Sequence, residues 1–234
     1  MTGLDLAHLG RLVDVSAVYP AVPWSLTAQL IQVARRYSCV CASATPWATP
    51  AVIEQLADRP DIAVTGNVAF PAGADTTAVK VAAVRQFVAM GCRELDVVIN
   101  LSAFKSGRPG EVLADLKAVV EAADGVPVKA IIEVPYLTAD EITAASALVV
   151  EAGGAFVKTG TGWAAGPSTV EHVRLIRRAV GAAAQIKVSG GVRTVAAIQE
   201  FYQAGATRFG IGVRSAPAVL EEAARLAAAV PEGE

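Results

Sequence analysis

The chain has 234 residues, 53% of them hydrophobic, with a mean hydropathy of +0.46, enough to bury the core of one large domain or two small ones. Its 20 basic and 22 acidic residues are well mixed and leave a net charge of -2, with no basic tract of the kind that binds nucleic acid, although a small anionic ligand is compatible. Cys39, Cys41 and Cys92 are an odd number at no disulfide-framework spacing, which fits a reducing compartment. The start of the chain has no basic segment leading into an apolar run, and no 18-residue uncharged apolar stretch follows. The expectation is a cytoplasmic protein with no membrane partner.

Leu6, Leu9 and Leu12 predict a short helix over 3–11, followed by a strand at Leu12–Val15 that ends near Asp14. A helix runs from Ser25 to about Tyr37, and Ser38–Ala42 is strand-like. Thr49-Pro50 opens another helix. Ile62–Thr65 reads as a strand, Asp75 caps a helix that ends at Gly91, and Glu94–Asn100 is a strand with Asp96 inside it. Residues 102–110 read as a loop, and a helix follows to Ala123.

Val128–Glu133 is the next strand. Thr138–Glu141 and Ser168–Glu171 have the spacing of capping boxes, each opening a helix. Between those helices lies Ala155-Phe-Val-Lys-Thr-Gly-Thr-Gly162, an apolar run ending in a lysine and a flexible turn. Ile186–Val188 and Arg208–Ile211 are the last two strands, with helices opening at Thr194 and at Ala216-Pro217. Strand ends thus fall near Asp14, Cys41, Thr65, Asp96, Glu133, Lys158, Lys187 and Gly210, about 23 to 37 residues apart. Eight strictly alternating βα units predict a single (β/α)8 TIM barrel over residues 1–234, with a short N-terminal helix. A doubly wound open sheet is second choice, since no Gly-x-Gly-x-x-Gly follows the first strand.

Such barrels place their chemistry at the C-terminal ends of the strands. Lys158 and Lys187 fall on adjacent strands, whose spacing of about 4.8 Å would bring two inward amines together. Burial and a like charge both favour the neutral amine, the form that attacks a carbonyl. One lysine then acts as nucleophile and the other as the neighbour that lowers its pKa, with Asp96 moving protons. Alternatively, each lysine only caps its strand at the rim.

The glycine turns Ser189–Thr194 and Gly210–Ser215 are either phosphate-binding loops, helped by Arg193 and Arg214, or simple tight turns. Asp14 is either an anchor for a substrate hydroxyl or a cap. Cys41 either packs as a small apolar residue or lines the pocket. Trp163 either shields the pocket or only packs. Lys129 and Glu133 on the fifth strand are either a structural ion pair or groups with a catalytic role. A metal site has little support, because His8 and His172 fall on helices.

Six stretches, in this order, resemble the 2-deoxyribose-5-phosphate aldolase family over nearly the whole chain. They are Glu94–Asn100 with Ser102–Gly107, Lys129–Glu133, Phe156–Gly162, Lys187–Thr194 and Arg208–Gly210. The resemblance implies a class I aldolase barrel that uses no metal or organic cofactor and assembles as a homo-oligomer, dimer or tetramer. It implies Lys158 as the Schiff-base lysine, Lys187 as its pKa-lowering neighbour and Asp96 in the proton relay. Asp14 and Cys41 match positions that line the family's pocket, and Gly190 and Gly191 match its backbone phosphate contacts; Thr159, Gly212, Arg214 and Ser215 are further candidate substrate-binding residues. The substrate would be a small aldehyde or sugar phosphate.

The chain also departs from the family pattern. Asp14-Val-Ser16 stands for Asp-His-Thr, Gly160 stands for a serine after the lysine, and Gly210-Ile-Gly-Val-Arg-Ser215 replaces a Gly-Thr/Ala-Ser-Ser turn. The alternatives are a paralogous imine-forming enzyme acting on a different or unphosphorylated aldehyde, or a non-catalytic barrel that binds a sugar phosphate.

Overall fold

The computed structural model describes residues 3–229. In chain order the elements are β1 (Val13–Ala17), α1 (Trp24–Arg36), β2 (Cys41–Ala44), α2 (Thr49–Gln55), β3 (Ala63–Val68) and α3 (Thr77–Met90). Next come β4 (Glu94–Val98), α4 (Leu101–Lys105), α5 (Pro109–Ala122), β5 (Val128–Ile131), α6 (Ala139–Glu151) and β6 (Phe156–Lys158). The chain finishes with α7 (Val170–Val180), β7 (Gln185–Ser189), α8 (Val195–Gln203), β8 (Arg208–Gly212) and α9 (Ala216–Ala228). All neighbouring strands pair in parallel, and β8 returns to β1, so the sheet closes into an eight-stranded barrel. This is the predicted (β/α)8 architecture. None of the described helices is long and apolar enough to cross a membrane.

Several local expectations are corrected. The N-terminal helix is only a four-residue 3-10 turn, Leu9–Leu12. Gly10 packs there against the backbone of Tyr37, and its carbonyl accepts from the amide of Val40, which ties the segment to the start of β2. The loop over 102–110 contains α4, because the Asn100 side chain accepts from the amide of Ala103 at 3.0 Å and caps a turn. The second capping box lies one residue later than its spacing suggested, with Thr169 and His172 bonding reciprocally. The one at Thr138 and Glu141 is as predicted. Asp75 does not cap α3; Thr76 holds the N-cap position without a side-chain bond. β5 stops at Ile131, and Glu133 takes a left-handed conformation (φ +55°).

Alternation along the strands separates two cores. Val13, Val15, Ala42, Ala44, Leu95, Val97, Val128, Ala130, Ile186 and Val188 join one apolar cluster with the helices. The intervening residues face the barrel interior, and many are polar: Asp14, Thr65, Asn67, Glu94, Asp96, Lys129, Lys158 and Lys187 are all buried. Barrels of this kind more often fill their interior with Val, Ile and Leu.

A second buried charge pair braces the helical layer behind β4. Lys80 on α3 sits 2.7 Å from Asp115 on α5, donates to the carbonyl of Val98 at 3.0 Å, and is fully buried. Removing one partner of such a pair leaves an uncompensated charge. We expect Asp115→Ala to cost about 3–5 kcal/mol in urea unfolding. Replacing both residues together, Lys80→Met with Asp115→Leu, should cost less than Asp115→Ala alone.

Candidate active site

The register places Lys158 directly opposite Lys187 on β6 and β7, and Asp96 opposite Lys129 on β4 and β5. The Lys158 ammonium is 2.6 Å from Asp96 Oδ2, and Lys187 is 2.9 Å from the same oxygen. Lys187 also lies 2.6 Å from Asp14 Oδ2. Below them Lys129 pairs with Asp14 at 3.0 Å and with Glu94, and its nitrogen is 3.1 Å from Asp96 Oδ1. Arg208 closes the base of the network, 2.7 Å from Asp14 and 3.0 Å from Glu94.

The network contains three carboxylates and four basic groups. Fully ionised, it would carry one unbalanced positive charge in a buried space, which is unfavourable. Asp96 and Asp14 are buried, which acts to raise them, but the surrounding lysines override this and hold both well below the usual carboxylate range; Arg208 adds to the effect at Asp14. Lys129 is held well above an ordinary lysine despite its burial, because Asp14, Asp96 and Glu94 surround it. Lys158 goes the other way. Burial, with the charges of Lys187 and Lys129, lowers it to about 8, and Asp96 only partly opposes the shift. Lys158 is therefore the group that readily gives up its proton, and that loss balances the network.

Lys158 and Lys187 open onto a cavity of about 170 Å³ at the C-terminal end of the barrel. Asp14 and Asp96 line its inner end, and Gly190, Gly191, Gly212 and Ser215 its outer end. Three expected residues are not on its wall. Cys41 sits one layer lower, fully buried, with its sulfur 2.9 Å from Thr65 Oγ1, because β2 begins at Cys41 and presents Ser43 at the cavity level. Thr159 faces the strand ends, where it donates to the Ser189 carbonyl at 3.0 Å and accepts from the Ser189 amide at 2.9 Å. Arg214 is exposed and lies over the Tyr19 ring, 4.7 Å from its centroid, while Arg193 takes a place on the wall.

Lys129 and Glu133 do not pair. Lys129 points into the barrel, whereas Glu133 turns outward past the end of β5 and accepts from the amide of Thr161. A Cβ at Gly160 would come within 2.8 Å of that carboxylate, which a small shift of the Glu133 side chain would relieve. Trp163 spans the mouth, donating through its indole N–H to the Val18 carbonyl at 2.9 Å and packing edge-on against Phe70.

The sequence reading missed Glu94 and Arg208 as members of the network; their position two residues and four strands away from Asp96 gave no linear signal. Asp14, Cys41 and Glu94 have ligand atoms within 4.8 Å of one another. The Lys129 ammonium already pairs with both of those carboxylates, so they have a cation of their own.

A model of the DeoC/LacD family aldolases matches residues 48–216. A deoxyribose-phosphate aldolase from Sinorhizobium medicae is 39% identical over 93% of this chain and 88% of its own length. One from Carboxydothermus hydrogenoformans is 41% identical over 86% of this chain and 90% of its own. Among solved structures, the tetrameric deoxyribose phosphate aldolase of Aeropyrum pernix superposes with a TM-score of 0.82. It is 28% identical, over 92% of this chain and 89% of that one.

The titration of Lys158 can be measured on the amine itself. A neutral amine acylates and a charged one does not, so labelling by acetic anhydride should rise with pH through a half-point near 8. Lys129→Met removes a neighbouring positive charge and should move that half-point upward. Peptide mass spectrometry reads both, with circular dichroism to check that the variant is folded.

Proposed function

The chain belongs to the DeoC/LacD aldolase family, and from that premise we propose that it makes and breaks a carbon–carbon bond through an imine on Lys158. The reaction proposed is the reversible cleavage of 2-deoxy-D-ribose 5-phosphate to D-glyceraldehyde 3-phosphate and acetaldehyde. The names of the similar enzymes support the substrate. The observation that carries the mechanism is the Lys158 amine, lowered to about 8 and held 2.6 Å from an ionised Asp96 at the floor of an open cavity.

Neutral Lys158 adds to the aldehyde carbon of the open-chain sugar; the carbinolamine hydroxyl takes up a proton from solvent and leaves as water, and a protonated imine remains. The proton of the C3 hydroxyl passes, directly or through a water, to Asp96. The C2–C3 bond then breaks, its electron pair moves toward the imine nitrogen, and glyceraldehyde 3-phosphate leaves. The remaining enamine takes a proton back at carbon, and water releases acetaldehyde and regenerates the amine. Lys187 acts by position: it holds Asp96 and Asp14 and keeps a positive charge beside the nucleophile. The lysine nitrogen serves as the electron sink, so the scheme calls on no metal or organic cofactor.

At the outer end, Gly190 and Gly191 (φ +88° and +89°) turn the chain toward α8, whose N-terminal amides suit an anion. We assign the substrate phosphate to this end, with Ser215 and Arg193 on the wall beside it. A homo-oligomer, dimer or tetramer, is part of the proposal. Its support is the tetrameric assembly of the Aeropyrum pernix relative.

Borohydride reduction in the presence of acetaldehyde should fix a two-carbon adduct on Lys158, and Lys158→Leu should lose both the adduct and the aldolase activity. An adduct elsewhere, or an active Lys158→Leu variant, would overturn the mechanism. Asp96→Asn should lower kcat by about 10²–10⁴-fold.

A further inference from the structure

β8 is unusual in carrying glycine at both of its inward positions nearest the cavity, Gly210 and Gly212. Each gap is filled by a hydroxyl from an adjoining segment. A Cβ at Gly210 would lie 2.1 Å from Ser189 Oγ on β7, and a Cβ at Gly212 would lie 2.3 Å from the Tyr19 hydroxyl, just beyond β1. At such distances a side chain at either position and the hydroxyl facing it would compete for the same space, and one would have to move.

Both hydroxyls face the cavity. Ser189 Oγ is buried and has no hydrogen-bond partner, and buried polar groups are rarely left so. Tyr19 Oη makes no hydrogen bond among the described residues, although its ring is held by the Arg214 guanidinium. Neither Arg193 nor Arg214 has an ion pair among the described residues, and they stand at the same end of the site. This end therefore offers unused hydroxyl donors and two uncompensated cations. That is the chemistry of an anion with several acceptor oxygens.

We propose that Tyr19 is the specificity-determining residue for the substrate's phosphate, and that Gly212 is glycine in order to admit its hydroxyl. The proposal rests on the aldolase reading above and names the residue that reads the phosphate at that site. The hydroxyl over Gly212 is supplied from the segment after β1. Arg214 holds the Tyr19 ring in place and adds positive charge, which explains why it lies outside the cavity wall while standing next to it. The natural substrate is thus phosphorylated.

The test is a double-mutant cycle read on two substrates. Tyr19→Phe keeps the ring and removes the donor; a hydrogen bond to a charged group is worth about tenfold or more in affinity. Discrimination, kcat/KM for deoxyribose 5-phosphate relative to unphosphorylated deoxyribose, should fall by about tenfold or more, mainly through KM. Competitive inhibition by inorganic phosphate should weaken in parallel. Gly212→Ala should produce a comparable fall by displacing the phenol. Because both changes remove the same contact, the double variant should be little worse than either single one.

An unchanged discrimination ratio in Tyr19→Phe, or additive losses in the cycle, would overturn the proposal. Acetaldehyde and borohydride trapping on the unaltered protein reports separately on the aldolase reading. With trapping at Lys158 and no effect of Tyr19→Phe, only the assignment of Tyr19 fails; with no trapping, the reading beneath it fails.

Discussion

The structure depends on one buried charge network that has a basic group to spare. Asp14, Glu94 and Asp96 are shared among Lys129, Lys158, Lys187 and Arg208 inside a closed barrel. Burying charges costs several kcal/mol per ion unless they are well paired, so such a cluster adds little net stability over an apolar core. What it supplies is an electrostatic setting. Three of the basic groups bond to two or more carboxylates, whereas Lys158 bonds to one, at the edge of the cavity. The surplus proton is therefore easiest to lose at Lys158, the cavity-lining amine with the fewest carboxylate partners.

The fold makes this network affordable by dividing labour between the two faces of each strand. Outward residues supply the continuous apolar cluster against the helices, and inward residues are free to be charged. Stability comes mainly from the barrel–helix interface, and chemistry from the barrel interior. The same alternation places Ser43, Ser189 and Gly210 above the charges, where the cavity begins, with Gly212 one step further out. The vertical order is charge network, reactive amine, polar mouth, and it follows the strand direction.

Much of this was legible in the chain. Two strand-end lysines before glycine turns, and an aspartate in an apolar strand, were enough to locate the amines and their carboxylate. The capping pattern at Thr138 gave a helix start correctly, while α4 was hidden because Asn100 looked like a strand end rather than a cap. Cys41 was placed at cavity height because the end of β2 was read two residues early, at Ala42 and not Ala44, and a shift of two residues moves a side chain one layer along the barrel. Arg214 looked like a pocket cation from its neighbours in sequence, but its side chain stacks outward on Tyr19.

By itself the sequence determined the number and order of βα units, the parallel barrel and the neighbouring positions of Lys158 and Lys187. These are set by local periodicity and by adjacency of consecutive strands, both of which survive in a linear reading. Only the tertiary structure decided that Lys129, Glu94 and Arg208 belong to the same network, and that Tyr19 fills the space over Gly212. Those contacts join strands that are distant in the chain or meet across the barrel closure. They depend on register and side-chain direction, which closure of the sheet fixes and no short stretch of sequence contains.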